Sequence, residues 1–294
     1  MDRSAPSEQL IAKRLRTLEV TLAGAARGDR EALHRARIAS RRIREALPLL
    51  SAGLRGRRLE RKVRRITRAL GPVRELDVAL QILDDVERSG ELSRSALARL
   101  RQAVARERHA LQAEMKRRIE DCNLEKLRKR ALCVVRKSAA HGSLRRDPEA
   151  LARARARAAR RAEQLQLAIE AASGIYLPDR LHEVRIAVKK LRYALELVRE
   201  LSRSRARVHL KTLSTVQDTL GRMHDLEVLI ARTRAVQGAP GAPTLKLSGE
   251  LDVLVRRFET ECRQLHAQYM AARRALLEIC EHAISAGAAA ADAA

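Results

Sequence analysis

The string His34-x-x-Arg37-Ile38-Ala39-Ser40-Arg41-Arg42-Ile43-Arg44 returns later in the chain as His182-x-x-Arg185-Ile186-Ala187-Val188-Lys189-Lys190-Leu191-Arg192. Each copy leads to a second matched string. The first is Leu70-Gly71-Pro72-Val73-Arg74-Glu75-Leu76-Asp77-Val78, and the second is Leu220-Gly221-Arg222-Met223-His224-Asp225-Leu226-Glu227-Val228. Self-similarity of this kind marks one supersecondary unit used twice. The chain therefore reads as two repeats, 1–145 and 146–294. His34–Leu80 is expected to occupy a place equivalent to that of His182–Ile230.

The unit is helical. Apolar residues make up 46% of the chain, but there is no Trp, only three Tyr and one Phe, so the core must be built from Leu, Ile, Val and Ala. Apolar positions recur at the helical period almost throughout. Taking Gly and Pro as breakers, the spacing predicts helices near 5–26, 29–52, 57–70, 72–88 and 92–139, the last broken near Asn123. In the second repeat it predicts helices near 148–173, 179–202, 205–220, 222–236 and 248–286. Residues 141–149 read as a boundary, 237–249 as a flexible loop, and the Ala-rich end after Ser285 as a disordered tail. The fold class is all-α, with two pseudo-symmetric antiparallel helical bundles. The four cysteines form no Cys-x-x-Cys and read as reduced thiols. The N-terminal residues have no apolar signal core and no run reaches membrane-span length, so a cytoplasmic protein without a membrane partner is expected.

Lys and Arg number 61 against 36 Asp and Glu, a formal charge of +25. Charge of that size repels itself and points to an anionic partner: nucleic acid, an anionic membrane or another polyanion. An Arg-rich background composition would raise the total, but it does not explain why the basic residues recur at duplicated positions.

On a helical wheel of about 100° per residue, Arg37, Arg41 and Arg44 fall on the His34 side. Ala39, Ile43, Ala46, Leu47 and Leu50 lie opposite. The second copy sets His182, Arg185, Lys189 and Arg192 against Ala187, Leu191, Ala194, Leu195 and Val198. The segment after the first copy repeats the pattern, with Arg57, Arg61, Arg64, Arg65 and Arg68 opposite Leu59, Val63, Ile66 and Leu70. In the second copy Lys211 keeps the place of Arg61, while Thr215 and Asp218 replace Arg65 and Arg68. An ordinary solvated face alternates charge signs, and only Glu45 and Glu183 lie near the two stripes that begin at His34 and His182. Arg outnumbers Lys by 51 to 10, and its guanidinium can grip phosphate oxygens two at a time. The blocks 153–164 and 205–208 are basic too, but read as solvated helix faces, with Arg153 and Arg155 outside any site. The paired histidines fit either charged donors to an anion or caps to the basic stripe.

These strings resemble the CHAD family, the "conserved histidine α-helical domain". The likeness rests on Leu33-His34-x-x-Arg37-x-x-x-Arg41-Arg42-x-Arg44, on Leu70-Gly71-x-x-Arg74-Glu75-Leu76-Asp77-Val78, on Leu181-His182-x-x-Arg185-x-x-x-Lys189-Lys190-Leu191-Arg192-Tyr193, and on Gln217-Asp218-x-Leu220-Gly221-x-x-x-Asp225. The resemblance spans roughly 5–285. It implies two helical bundles around a basic central pore or groove that binds inorganic polyphosphate without chemistry of its own. It marks His34, Arg37, Arg41, Arg42, Arg44, His182, Arg185, Lys189, Lys190, Arg192 and Tyr193 as binders. Arg74, Arg61, Arg65, Arg68 and Lys211 join them from the basic faces. The sequence departs from the pattern where His224 stands in the place of Arg74 and where Glu75 stands for the family's Asp. The Glu-x-Glu-x-Lys strand of a triphosphate-tunnel domain is absent, so a stand-alone member is expected, associated with polyphosphate granules.

No P-loop, His-Glu-x-x-His, Gly-x-Ser-x-Gly or Cys/His metal spacing is present. No cofactor and no catalytic residue is expected. Asp77, Glu227, Glu75 and Asp225 read as ion-pair partners that orient the arginines. The competing reading is a binder of nucleic-acid backbone; a chain with four aromatic residues offers few stacking platforms for single strands. A polyphosphate or organic phosphate hydrolase would need carboxylates for a metal within the basic face, and the wheels place none there.

Overall fold

The computed structural model describes residues 6–50, 53–90, 92–140, 148–172, 174–202, 208–239 and 243–292. Among these residues all regular secondary structure is helical. Nine helices follow one another: α1 (Pro6–Ala26), α2 (Arg30–Leu50), α3 (Gly53–Ser89), α4 (Arg94–Glu120), α5 (Leu124–Ala140), α6 (Pro148–Ala171), α7 (Pro178–Ser202), α8 (Val208–Gln237) and α9 (Leu245–Asp292). Most of the linker 141–149 and of the block 205–208 lies outside the described residues.

Local chemistry sets the ends. Asp29 caps α2, its Oδ1 accepting from the amides of Glu31 at 2.9 Å and Ala32 at 3.0 Å. Gly28 before it adopts φ +93°, which an L side chain resists. Asn123 caps α5 by accepting from the Lys126 amide at 2.8 Å, which places the break after α4 where the sequence puts it. Thr244 caps α9.

Two expected breaks do not occur. Residues 57–70 and 72–88 form the single helix α3, and 205–220 with 222–236 form the single helix α8, apart from 205–207, which are not described. Pro72 removes one backbone donor, but Leu70, Val73 and Leu76 are fully buried on both sides of it and hold the helix together. The glycines have another role. A Cβ on Gly71 would lie 2.9 Å from Arg37 Nη1, and one on Gly221 would lie 4.0 Å from Arg185 Nε. Gly71 is clearance for a guanidinium rather than a helix stop. Gly71→Ala should therefore leave thermal stability within about 1 kcal/mol, because helix propensity is gained, while displacing Arg37. Gly221→Ala meets only ordinary contact and should leave Arg185 in place. Comparing unfolding midpoints with polyphosphate affinity for the two variants checks this.

The C-terminal segment also differs from expectation. Helix α9 continues through the Ala-rich stretch to Asp292, because Gly287 is buried against α6, where a Cβ would come 2.5 Å from that of Ala159. Nor is 153–164 merely a wet face. Helix α6 packs on α7 and α9, Arg153 and Arg155 are half-buried, and Arg157 pairs with Glu45 at 2.9 Å.

In the first half α1 packs on α2, α2 on α3 and α3 on α4; in the second, α6 packs on α7, α7 on α8 and α8 on α9. The core is aliphatic, as the composition requires, with Phe258 and Tyr269 its largest members. One cluster joins Ile11, Leu18, Leu33, Ile43, Val63, Leu70 and Val73, with Ala154 and Leu197 contributed from the second half. The other takes Leu76, Leu80, Leu83 and Leu100 from α3 and α4 and packs them against α6–α9. Helix α3 thus passes from one core to the other between Val73 and Leu76, and the residues at the crossover are Arg74 and Glu75. Cys262 and Cys280 are buried, Cys122 sits in the turn after α4, and all four thiols are free.

Candidate functional site

At this crossover α2 faces α7, α3 faces α8, and a cleft of about 560 Å³ opens between them. Its walls carry seven of the residues singled out by the sequence: His34, Arg37 and Arg41 from α2, Arg74 from α3, and His182, Arg185 and Lys189 from α7. The spacing explains the convergence. Positions i, i+3 and i+7 stand on one helical face, and the opposite face (Ala39, Ile43, Ala46 and Leu47; Ala187, Leu191 and Ala194) is buried in the two cores.

Arg37, Arg41, Arg74, Arg185 and Lys189 make no ion pair among the described residues, so their charges confront one another. The effect on protonation is large. Burial, then Arg41, Arg185 and Arg37, push the Lys189 ammonium down to about 6. Burial and the charges of Arg41 and Arg185 push Arg37 down to about 9. Arg185 is lowered by burial, against the attraction of Asp225. His34 is lowered by burial and then by Arg74, and His182 by burial and then by Arg185 and Lys189. The cleft also holds carboxylates that the helical wheels do not place there: Glu75, Asp218 and Asp225 line it, and Glu75 and Asp225 offset part of the repulsion on Arg37 and Arg185. The remaining confrontation of like charges costs folding energy, and such clusters of shifted groups mark candidate functional sites.

The remaining expected binders lie elsewhere. Arg42 and Arg192 do not face the cleft; both are held by Glu196, at 3.1 Å and 2.8 Å, in a strut that ties α2 to α7. Arg192 also donates to Gln217 at 2.9 Å and lies 4.9 Å over the ring of Tyr193, which is buried. Arg44 and Lys190 form a second basic group with Arg157 and Arg161 around Glu45. Arg61, Arg65, Arg68 and Lys211 are exposed along α3 and α8, outside the cleft. The wheel separates buried from solvent-facing residues. It does not tell which part of the solvent-facing arc meets another helix.

The acidic residues behave differently from expectation. Asp77 does not orient a cleft arginine; it is buried and pairs with Arg108 at 2.6 Å and Arg30 at 3.5 Å. Glu227 accepts from the Tyr176 hydroxyl at 2.7 Å. Glu75 pairs with Arg232 at 3.2 Å, which also binds Glu107. Asp225 does face Arg185, yet burial raises its carboxyl to about 6.

His224 was not singled out as a site residue and belongs to the cleft. Its Nδ1 lies 3.3 Å from that of His182, and burial, Arg185 and His182 push it down to about 4. The signal was the alignment of the two second strings, which sets His224 against Arg74. Among the described residues, no group of three or more His, Cys, Asp or Glu side chains is placed to hold a metal ion, and no helix is long and apolar enough to cross a membrane.

Lys189 has a measurable consequence in the ligand-free protein. Its amine binds a proton below about 6 in the native state and below about 10.5 in the unfolded chain. Between those limits the unfolded state holds the extra proton, so stability should rise with pH across that window. Lys189→Met should flatten the rise and lift the unfolding midpoint at pH 7 by about 2–4 °C. Thermal unfolding at several pH values checks both effects.

An all-helical fold with a cationic cleft between two helix pairs is thus in place. The family model described as CHAD domain matches residues 9–234, and the chain belongs to the CHAD domain family. It is similar to the crystal structure of the CHAD domain from the plant Ricinus communis, with TM-score 0.61 and 21% identity over 97% of this chain and 93% of that one. It is also similar to PptA from Streptomyces chartreusis, with TM-score 0.64 and 17% identity over 92% of this chain and 98% of that one. No curated protein matches the chain.

Proposed function

We propose that the chain binds inorganic polyphosphate in the α2/α3/α7/α8 cleft and carries out no chemistry on it. The observation that carries this reading is the confrontation of Arg37, Arg41, Arg74, Arg185 and Lys189 without ion-pair partners. A chain of phosphates supplies closely spaced negative charge along its whole length, and guanidinium groups can bind its oxygens bidentately. Membership of the CHAD domain family supports the same ligand class. Association with polyphosphate granules follows as an expectation of this reading.

Nucleic acid is the weaker reading because no Phe, Tyr or Trp lines the cleft to serve as a broad stacking platform. Tyr193, Phe258 and Tyr269 are buried and Tyr176 is tied to Glu227, so single strands lose their usual aromatic platforms. Competition at one fixed salt concentration separates the two. Long-chain polyphosphate should displace labelled duplex DNA and heparin at a lower concentration of charge than they need to displace it. Equal displacement per charge would reduce the interaction to net charge.

A further inference from the structure

A second cavity, of about 480 Å³, lies where the C-terminal part of α7 meets α6, α8 and the last turns of α9. Its wall is aliphatic: Ala158, Leu195, Val198, Leu210, Ile279 and Ala283. Three of the six side chains that line it from α6 and α9 are alanines (Ala158, Ala283 and Ala286), which leaves the space between them open. The polar groups around it are Arg155, Arg199, His209, His282 and Ser202, and no carboxylate lines it. Arg155 and Arg199 have no ion-pair partner among the described residues. The rings of His209 and His282 lie 5.1 Å apart.

We propose that this pocket is a second binding site, for a small amphipathic carboxylate: an aliphatic body against the alanine–leucine wall, its head group against Arg155 and Arg199. The volume falls within the range of about 300–1,000 Å³ usual for small-molecule sites, and the lining combines apolar side chains with a few polar groups, as such sites usually do. A cation is repelled by both guanidiniums. A neutral alcohol gains from the wall but leaves the guanidiniums to water. An inorganic polyanion gains nothing from the wall, so this ligand differs in class from that of the basic cleft.

Octanoate, 1-octanol and octyltrimethylammonium, titrated into the full chain while the ring resonances of His209 and His282 are followed by NMR, test the assignment. Octanoate should saturate one site per chain, octanol should bind at least about tenfold more weakly, and the ammonium should not saturate. Arg155→Gln with Arg199→Gln should cost octanoate about tenfold and leave octanol unchanged. Ala283→Phe should weaken binding of both ligands alike by occupying part of the cavity; if that variant does not fold, the double glutamine variant decides. Saturating polyphosphate should leave octanoate binding unchanged. Equal affinity of octanoate and octanol, a response that does not saturate, or displacement by polyphosphate would overturn the proposal.

Discussion

Arg41→Glu should lower the affinity for long-chain polyphosphate about a hundredfold, equivalent to about 3 kcal/mol. Arg41 sits centrally among the cleft's basic groups: its charge acts on Arg37, Arg185, Lys189 and His34 at once. Reversing it removes one phosphate contact and places a carboxylate among the groups that should bind the rest. Arg153 and Arg155, which the sequence offers as solvated controls, are half-buried and unsuitable. Arg274 is the better control: its side chain is 92% exposed and pairs, among the described residues, with Glu278 of its own helix. Arg274→Glu makes the same change in net charge and should cost less than about twofold, since exposed charges are screened at ordinary salt. Isothermal titration of both variants at one salt concentration decides. Equal losses would mean that binding follows total charge and not the cleft.

The second large effect is proton uptake. In the empty cleft Lys189 lies at about 6, and His34 and His182 lie below the ordinary histidine range. A bound polyanion favours the charged form of each, so their pKa values rise and binding takes up protons. Affinity therefore increases as pH falls from about 8 toward 6. The two kinds of group separate by window. Near pH 7.5 the uptake should be about one proton per chain and belong to Lys189, whose pKa would return toward the ordinary lysine value. Near pH 6.5 the histidines add to it. Titration in two buffers of different ionisation heat measures the number directly. Lys189→Arg should abolish the uptake at pH 7.5 while keeping most of the affinity. His34→Gln with His182→Gln should keep the uptake at pH 7.5 and lose the increment at pH 6.5. Uptake at pH 7.5 that survives Lys189→Arg would contradict the assignment.

Salt dependence follows from the same five basic groups. Neutralising several phosphates releases counterions, and by analogy with single-stranded nucleic acid the logarithm of affinity should fall with the logarithm of salt at a slope of about −3 to −4. Because the arginines stay charged throughout, the histidine double variant should keep that slope.

The repeated strings made the helical class and the cleft's centre legible. His34, Arg37, Arg41, His182, Arg185 and Lys189 sit on one helical face in each copy, and a pattern of period 3.6 fixes that face wherever the opposite side is core. What the pattern could not supply was the meeting of helices. Arg42 and Arg192 share the basic surface by sequence, yet Glu196 binds both, and that carboxylate is a core-adjacent residue of α7 outside the repeated strings. Arg44 and Lys190 turn toward α6, whose register follows from packing against α7 and α9. Gly71 and Gly221 read as breakers because glycine weakens helices in general. At Gly71 the reason is steric, and it becomes visible only when the guanidinium of Arg37 is in place across the helix pair; Gly221 meets only ordinary contact. The Ala-rich C-terminus misled in the same way: composition made it a tail, whereas Gly287 and Ala159 make it a helix contact.

The structure of the chain crystallised with a defined short polyphosphate tests the central claim most directly. Phosphate oxygens are predicted within hydrogen-bonding distance of Arg37, Arg41, Arg185 and Lys189, with His182 and His224 beside them and Arg42 and Arg192 still bound to Glu196. Phosphates ordered instead along Arg61, Arg65 and Arg68 on the exposed face of α3, with the cleft unchanged, would contradict it.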